Sequence, residues 1–199
     1  FNFHIGKEGI NIGDTLLGSI IYNKTFETDS YVKVDLFSDY FRYTLNVTQV
    51  SNDTNLYLHQ IDFNLFEKIN FSAFEGVYLN APLELRFLNP LMIMHQYASW
   101  EEYGYTRHDY YGAGKVCSYL CFMLDYAICD NLRFYALYSQ NEIQLPGEKY
   151  INKAGALLPD SLGFQSGLEL KVPSKNKGYW KAGLEGVYTS PWLYMKASP

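Results

Sequence analysis

The chain has 199 residues, of which 48% are hydrophobic and 19% charged, and its formal net charge is −5 at pH 7. This balance excludes the clustered Lys and Arg of a nucleic-acid-binding protein and supplies enough apolar side chains for a large buried or lipid-facing surface. The longest apolar run, Val116 to Leu124, is broken by Ser118 and is far shorter than the roughly 18 residues of a spanning helix, so a helical membrane protein is excluded.

Apolar and polar side chains alternate in nine segments, with the period of two that places successive side chains on opposite faces of a strand. The predicted strands are Phe1 to Ile12, Tyr31 to Leu36, Phe41 to Val50, Tyr57 to Leu65, Ile69 to Asn80, Val116 to Ile128, Leu132 to Asn141, Leu162 to Val172 and Trp180 to Tyr188. Asp14 to Ser30 shows few such signals and is predicted to be mostly loop, with a short strand at Ser19 to Tyr22.

The last two segments form a hairpin that is apolar on one face and charged on the other. About ten residues per arm is the length of a lipid-facing strand pair in a transmembrane β-barrel. The alternative is half of a soluble β-sandwich, with the apolar face turned into a core. The 19 Tyr, 13 Phe and 3 Trp favour strands and membrane interfaces, although soluble all-β proteins share this bias.

Loop lengths separate these alternatives. Short connections are expected at Ser38-Asp39, Glu67-Lys68, Asp130-Asn131 and Pro173 to Gly178. They alternate with long ones at Asp14 to Ser30, Ala81 to Ala113 and Ile143 to Asp160, and with a modest one at Ser51 to Asn55. All short turns then fall on one edge of the sheet, as in an outer-membrane barrel.

The odd number of strands and the Ala197-Ser198-Pro199 end predict that the barrel is seen in part. The predicted fold is therefore all-β: an antiparallel up-and-down transmembrane β-barrel forming a single domain over residues 1–199, an incomplete portion of about nine strands. One short helix is expected in a long loop, because Asn89-Pro90 suits the N-cap and first position of a helix through about Ala98.

Two groups of side chains are candidates for function. The predicted polar face carries charges of both signs that line a lumen, or pair with one another: Lys33, Asp35, Arg42, Asp62, Asp125, Arg133, Glu169, Lys171, Lys181 and Glu185. The long loop after Ala98 holds aromatic rings with charged groups between them, a combination that stacks on sugars and bonds their hydroxyls. These candidate ligand residues are Trp100, Glu101, Glu102, Tyr103, Tyr105, Arg107, Tyr110 and Tyr111, and the alternative for them is an interface belt or packing over the barrel mouth.

The sequence offers little support for catalysis or for a metal or other cofactor. His4, His59, His95 and His108 show no metal-ligand spacing, and His59 falls on the apolar face, where a packed histidine is expected. Cys117 and Cys121 point the same way but lie about 13 Å apart along one strand, too far for a disulfide. The chain is therefore predicted to be non-enzymatic, with no cofactor.

Four segments have a recognisable sequence: Ile5 to Asp14, Leu36 to Val50, Leu85 to Leu91 with its Leu-Asn-Pro after an Arg, and Pro159 to Gly163. In these segments the chain resembles the capsule assembly protein Wzi family of bacterial outer-membrane barrels. The family usually has a Trp near Gly13, where this chain has Ile12. The resemblance implies a bacterial outer-membrane location, outer-membrane lipid as a partner, and a role in capsular or surface polysaccharide attachment or assembly. A porin-like diffusion channel is the second hypothesis, and a soluble carbohydrate-binding β-sandwich is the third.

Overall fold

The computed structural model describes residues 1–24, 27–94, 116–142, 160–174 and 178–194. Over these residues the chain is all-β, with one short 3₁₀ helix at Leu85–Leu88. The strands are β1 (Asn2–Glu8), β2 (Asn11–Ile12), β3 (Tyr22–Asn23), β4 (Asp29–Phe37), β5 (Phe41–Ser51), β6 (Thr54–Leu65), β7 (Ile69–Asn80), β8 (Val116–Cys129), β9 (Leu132–Glu142), β10 (Ser161–Pro173) and β11 (Tyr179–Thr189).

Nine of these strands form one antiparallel sheet in the order β1-β4-β5-β6-β7-β8-β9-β10-β11, which is the chain order. The up-and-down, nine-stranded arrangement predicted from the alternation is thus confirmed. No closed barrel is detected in the described part of the chain, where β1 and β11 are the two edges of the sheet. Within the same residues, no helix has the length and apolar character needed to cross a membrane.

The first strand is shorter than predicted. It pairs with β4 from Asn2 to Glu8 and then stops, and Asn11–Ile12 pairs instead with Tyr22–Asn23. The prediction of a strand to Ile12 is wrong because the chain leaves the sheet edge after Glu8 and folds over the polar face, where Ile12, Ile21 and Tyr22 become buried.

The predicted helix from Asn89 is also wrong in its described part. Asn89 ends the 3₁₀ helix instead of starting a new one, and its N–H donates to the Arg86 carbonyl at 3.2 Å. Asn89 is extended (φ −74°, ψ 113°) as a capping residue is, and its Oδ1 accepts from the Leu91 N–H at 3.1 Å. Only one turn forms at Pro90 and Leu91, because Met92 and Met94 then pack onto the sheet. Residues 95–98 of the predicted helix lie outside the described residues.

The short turns fall at one end of the sheet as predicted, at 38–40, 66–68, 130–131 and 174–178. The opposite end is less uniform, because β5 and β6 are joined there by only Asn52 and Asp53. In the turn between β6 and β7, Phe66 and Glu67 both have positive φ, 55° and 58°. Two successive left-handed residues match the twist of a two-residue hairpin, although glycine or asparagine is the usual occupant.

Burial on the sheet is the reverse of that in a soluble protein. The polar face is partly covered: Asp35, Asp62 and Glu169 are each less than 9% exposed, while the basic residues Arg42, Lys171 and Lys181 are exposed. The apolar face is open over most of its area, and its exposed members include Phe3, Ile5, Leu36, Phe63, Phe164, Leu168, Leu184 and Tyr188. Soluble proteins seldom expose so large a contiguous apolar surface, since burying such side chains is what stabilises them.

Two segments from the long-loop end fold back on the sheet, one on each face. Residues 10–23, the inner segment, cover the polar face, where Ile12, Ile21 and Tyr22 pack with Leu58, Tyr119, Tyr135 and Leu137 in one core. Residues 81–94, the outer segment, cover one end of the apolar face, where Phe87, Met92 and Met94 pack with Tyr57, Val77 and Val116 in a second core.

Candidate functional site

The strand register places all ten predicted lumen residues on one face of the sheet, the face that the inner segment partly covers. Arg42 lies opposite Asp62, and Arg133 opposite Glu169. Lys171 lies opposite Lys181, and Glu185 is aligned with the same face through Gly167. The period-two pattern therefore sorted these charges correctly onto one surface of the sheet.

Arg133 is the centre of a charge cluster between this face and the inner segment. Its Nε donates to both carboxylate oxygens of Asp125 at 2.9 Å, and its Nη1 donates to Glu169 at 2.8 Å. Asp14 of the inner segment contributes a carboxylate 3.2 Å from Nη1 and a carbonyl that accepts from Nη2 at 2.7 Å. Lys181 forms an ion pair with the other oxygen of Glu169. A guanidinium has five donors in a fixed plane, so a single side chain holds three chain segments together.

The inner segment is also held by hydrogen bonds between its backbone and side chains of the sheet. The N–H of Leu16 donates to Glu185 at 3.0 Å and to the Tyr135 hydroxyl at 3.1 Å, and Tyr135 itself donates to Glu185. Gln165 is almost fully buried, and both the oxygen and the nitrogen of its side-chain amide bond to the inner segment. Its Oε1 accepts from the Ile20 N–H at 3.0 Å, and its Nε2 donates to the Gly18 carbonyl at 2.8 Å.

The base of the inner segment is tied to the start of β4. The Tyr22 hydroxyl donates to Asp29, and Lys24 donates to the other oxygen of Asp29 at 3.1 Å. Burial and the Asp29 carboxylate raise the pKa of Tyr22 far above its usual value, so Tyr22 stays a neutral donor. Burial lowers the pKa of Lys24, but hydrogen bonds to Asp29 and Glu27 outweigh this effect and raise it overall.

A second polar cluster lies on the same face nearer the short turns and uses contacts within and between strands of the sheet. Asp35 accepts from Thr44 at 2.6 Å and lies 3.3 Å from Lys33 and 3.8 Å from His4. Two strands away, Asp62 accepts from Ser72 at 2.5 Å and from Gln60 at 2.7 Å. Both carboxylates therefore have hydrogen-bond donors on the sheet itself.

The sequence analysis did not single out Tyr135, Gln165 or Asp14, although they position the inner segment. The sequence does contain a pattern that indicates the role of Tyr135. Tyr119 and Tyr135 lie across from Gly76 and Gly167 on neighbouring strands, and each ring lies over its glycine so closely that a Cβ there would overlap the ring. A tyrosine opposite a glycine therefore marks a ring that lies flat against the wall and leaves room for a covering segment.

The predicted sugar-stacking residues Trp100, Glu101, Glu102, Tyr103, Tyr105, Arg107, Tyr110 and Tyr111 lie outside the described residues. His59 is described: it is buried on the apolar face, and its Nε2 donates to the Phe87 carbonyl at 3.0 Å. Because a carbonyl can only accept, Nε2 carries the proton. His59 thus anchors the outer segment, which is the packed role expected from its position.

Other reactive groups are placed in packing roles. The Cys121 thiol is buried on the polar face and donates to Ser139 at 2.9 Å. Cys117 is partly buried, and Cys129 is exposed near a short turn. Among the described residues, no group of three or more His, Cys, Asp or Glu side chains is arranged to hold a metal ion.

Comparisons of the chain with protein-family models, with curated proteins and with solved structures find no match. The function is therefore argued from the chain's own residues and geometry.

Proposed function

We propose that this chain forms part of the wall of a non-enzymatic β-barrel in a bacterial outer membrane, with its apolar face against lipid and its polar face inside. The observation that carries the proposal is the reversed burial of the two faces. Carboxylates such as Asp35 and Glu169 are covered, while Phe164 and Leu184 are more than half exposed. In a bilayer this distribution is favourable, because lipid solvates the apolar face and the polar groups avoid it.

The size of the strands supports the same placement. β6 has 12 residues, and at about 3.3 Å per residue it is roughly 40 Å long. At the usual barrel tilt it spans roughly 30 Å, the thickness of the hydrocarbon core. Exposed aromatic side chains lie towards both ends of the sheet, as in the girdles of outer-membrane barrels. They are Tyr40, Phe41, Phe63, Phe66 and Trp180 at the short turns, and Phe164, Tyr188 and Trp192 at the long loops.

The test is the solution state of the 199-residue chain with and without detergent. Circular dichroism and size-exclusion chromatography are expected to show a β-rich species that requires detergent and aggregates without it. A β-rich monomer in plain buffer would contradict the membrane placement and favour the soluble carbohydrate-binding sandwich, in which the open apolar face is covered by protein.

Attachment or assembly of capsular or other surface polysaccharide is the proposed role of the barrel. Its support is the resemblance to the Wzi family together with the aromatic and charged residues between Trp100 and Tyr111. The inner segment adds an argument, because it covers the polar face near β8 to β10 through Asp14, Leu16 and Ile20. A wall covered in this way suits a scaffold that presents loops more than an open conduit.

Polysaccharide binding is tested with surface polysaccharide purified from the source cells. Trp100→Ala and Tyr103→Ala are expected to abolish binding, since stacking on aromatic rings is a main source of affinity for sugars. Tyr40→Ala is the matched control, because Tyr40 is an exposed aromatic residue at the opposite end of the sheet. Unchanged binding after both substitutions would show that this loop does not bind the polysaccharide.

A porin-like diffusion channel is the second candidate function. It is favoured by the charges of both signs on the polar face, such as Arg42 and Asp62 on neighbouring strands. Asn46 and Tyr119 each have a buried polar atom without a hydrogen-bond partner among the described residues, and such atoms are usually satisfied by water. Conductance across planar bilayers, with an ion selectivity that shifts in Arg42→Met and Arg133→Met, is the expected behaviour of a channel. No conductance from the inserted protein would argue against it.

A further inference from the structure

A cavity of about 450 Å³ lies between the apolar face of the sheet and the outer segment. Its floor is formed by outward-facing side chains of β5 to β8, including Tyr43, His59, Ile61, Ala73 and Leu120. Its roof is residues 90–93. The volume is within the range of sites for small organic ligands, and the cavity is on the side of the wall that the proposed function places against lipid.

We propose that this cavity binds one ester-linked acyl chain of a membrane lipid. Two thirds of the lining is apolar, which suits a hydrocarbon chain better than a sugar, and its polar members are Tyr43, His59, Glu75 and Gln140. The floor is also continuous with the open apolar face, since Ile61 and Ala73 lie directly opposite each other and next to the exposed Phe63. This inference rests on the proposed membrane placement.

The outer side of the roof indicates that the surroundings of the cavity are apolar. Leu91 is 89% exposed and Ile93 58% exposed, while Met92 between them is turned inward and buried. Leu85, on the 3₁₀ helix, is also largely exposed. A segment that is apolar both towards the sheet and away from it is expected in a bilayer, where an acyl chain in the cavity is in contact with other lipid chains.

One polar group in the cavity selects the ester end of the chain. Tyr43 lines the cavity, and its hydroxyl is buried without a hydrogen-bond partner among the described residues. Its ring contacts the edge of the His59 ring at a centroid distance of 5.9 Å, and His59 is itself fixed by its bond to Phe87. The Tyr43 O–H is thus a positioned donor, and the carbonyl oxygen of an acyl ester is an acceptor of the right kind.

The outer segment holds the roof in place from one end. The Tyr57 hydroxyl accepts from the Glu84 N–H at 2.7 Å, and the Tyr57 and Phe87 rings are in contact at 5.0 Å. Beyond Phe87, the Pro90–Leu91 turn carries the chain over the cavity instead of down onto the sheet. The cavity is therefore built by the same contacts that end the 3₁₀ helix.

The experiment uses the full chain in phosphatidylethanolamine and phosphatidylglycerol vesicles that contain a trace of phospholipid with a photoreactive diazirine in its acyl chain. Labelled peptides are mapped by mass spectrometry after illumination. Labelling is expected to concentrate at residues 91–93 and Leu120 above the level at Leu168, which is on the same face but away from the cavity.

Ala73→Phe fills the floor of the cavity and is expected to reduce labelling at 91–93 about tenfold, a loss comparable to 1.4 kcal/mol of affinity. Ala182→Phe is the matched control, because Ala182 is an exposed residue of the apolar face on β11. Tyr43→Phe keeps the shape of the floor and removes only the donor, so lipid exchange is expected to become about fivefold faster, the value of one net hydrogen bond.

Even labelling along the whole apolar face, unchanged in Ala73→Phe and Tyr43→Phe, would overturn the acyl site while leaving the membrane placement intact. The same conclusion would follow if Leu168 is labelled and residues 91–93 are not, since the cavity is then filled by the chain itself. Absence of labelling at every position, Leu168 included, would instead contradict the membrane placement.

Discussion

The inner and outer segments leave the same end of the sheet and cover opposite faces, but they are held by different forces. The inner segment combines apolar packing of Ile12, Ile21 and Tyr22 with ion pairs and hydrogen bonds, whose main partners are Arg133, Gln165 and Glu185. The outer segment is held mainly by apolar packing around Phe87 and Met94, with few polar contacts. Ionic contacts are thus concentrated on the polar face, which suits the interior of the proposed barrel, while the apolar face carries few of them, as its proposed contact with lipid requires.

The largest effect is expected from Phe87→Ala in the outer segment. Phe87 is completely buried between the segment and the sheet, so truncating it removes a large apolar contact and leaves a cavity. The free energy of unfolding is expected to fall by about 3 to 4 kcal/mol. Chemical unfolding in detergent, followed by circular dichroism, measures this change.

Leu85→Ala is the control for Phe87→Ala, because Leu85 is on the same 3₁₀ helix and is largely exposed. Its effect is expected to stay within about 0.5 kcal/mol. Equal effects of the two substitutions would mean that the outer segment is not packed on the sheet through Phe87.

The next effect compares glycines on the two faces. Gly76→Ala on the polar face places a methyl group against the fully buried Tyr119 ring, and overpacking of this kind costs about 2 kcal/mol. Gly186→Ala on the apolar face meets no atom within 4 Å and is expected to be nearly neutral. The same unfolding measurement applies. An unchanged free energy of unfolding in Gly76→Ala would show that the Tyr119 ring is free to move and that the polar face is loosely packed.

A smaller, local effect is expected from Gln165→Leu, which removes both clamps on the inner segment. Two hydrogen bonds are lost, worth about 1 to 2 kcal/mol together, while the strands keep their ladder. Hydrogen exchange of the Ile20 amide is expected to become faster, and exchange in β9 and β10 to stay unchanged. Gln49→Leu, at an exposed glutamine of β5, is the control and leaves Ile20 protected. Unchanged exchange at Ile20 would mean that other contacts hold the segment.

The smallest effect is a pH dependence from Lys24. Its pKa is raised in the folded chain, so its contribution to stability is fully present below the unfolded value of about 10.4 and is lost as the pH rises through the folded value. Lys24 is partly exposed, and solvent screening limits the contribution to about 0.5 kcal/mol. Wild type is expected to exceed Lys24→Met in stability at neutral pH and to match it in strong alkali. A difference that persists at high pH would show that Lys24 acts through packing.

The strands and their faces were predictable because the signal is local. Alternation from Leu162 to Val172, and back from Trp180 to Tyr188, needs only the period of a strand, and the structure has the corresponding strands Ser161–Pro173 and Tyr179–Thr189. Phe74 and Glu75 break the alternation of apolar and polar residues, but each lies on the face that its position in the strand predicts. Phe74 is buried on the polar face, and Glu75 lies opposite His59 on the apolar face.

The covering segments were not predictable, since their partners are far away in sequence. Leu16 bonds to Glu185 across 169 residues and Ile20 to Gln165 across 145, so no neighbour of either residue carries the information. The prediction for the outer segment failed for another reason: Asn89-Pro90 is a true local capping signal and Asn89 accepts from the Leu91 N–H, but only one turn forms because Met92 packs onto the sheet.

The turn between β6 and β7 carries a further consequence. Phe66 is 88% exposed and has a left-handed backbone, a conformation that costs a non-glycine residue about 1 to 2 kcal/mol. In water, an exposed Phe ring makes no contact that offsets this conformational free energy. In the proposed outer-membrane placement the ring would lie at the boundary between headgroups and hydrocarbon, where lipid solvates it, and the hairpin tip would fix how far this edge of the sheet enters the bilayer.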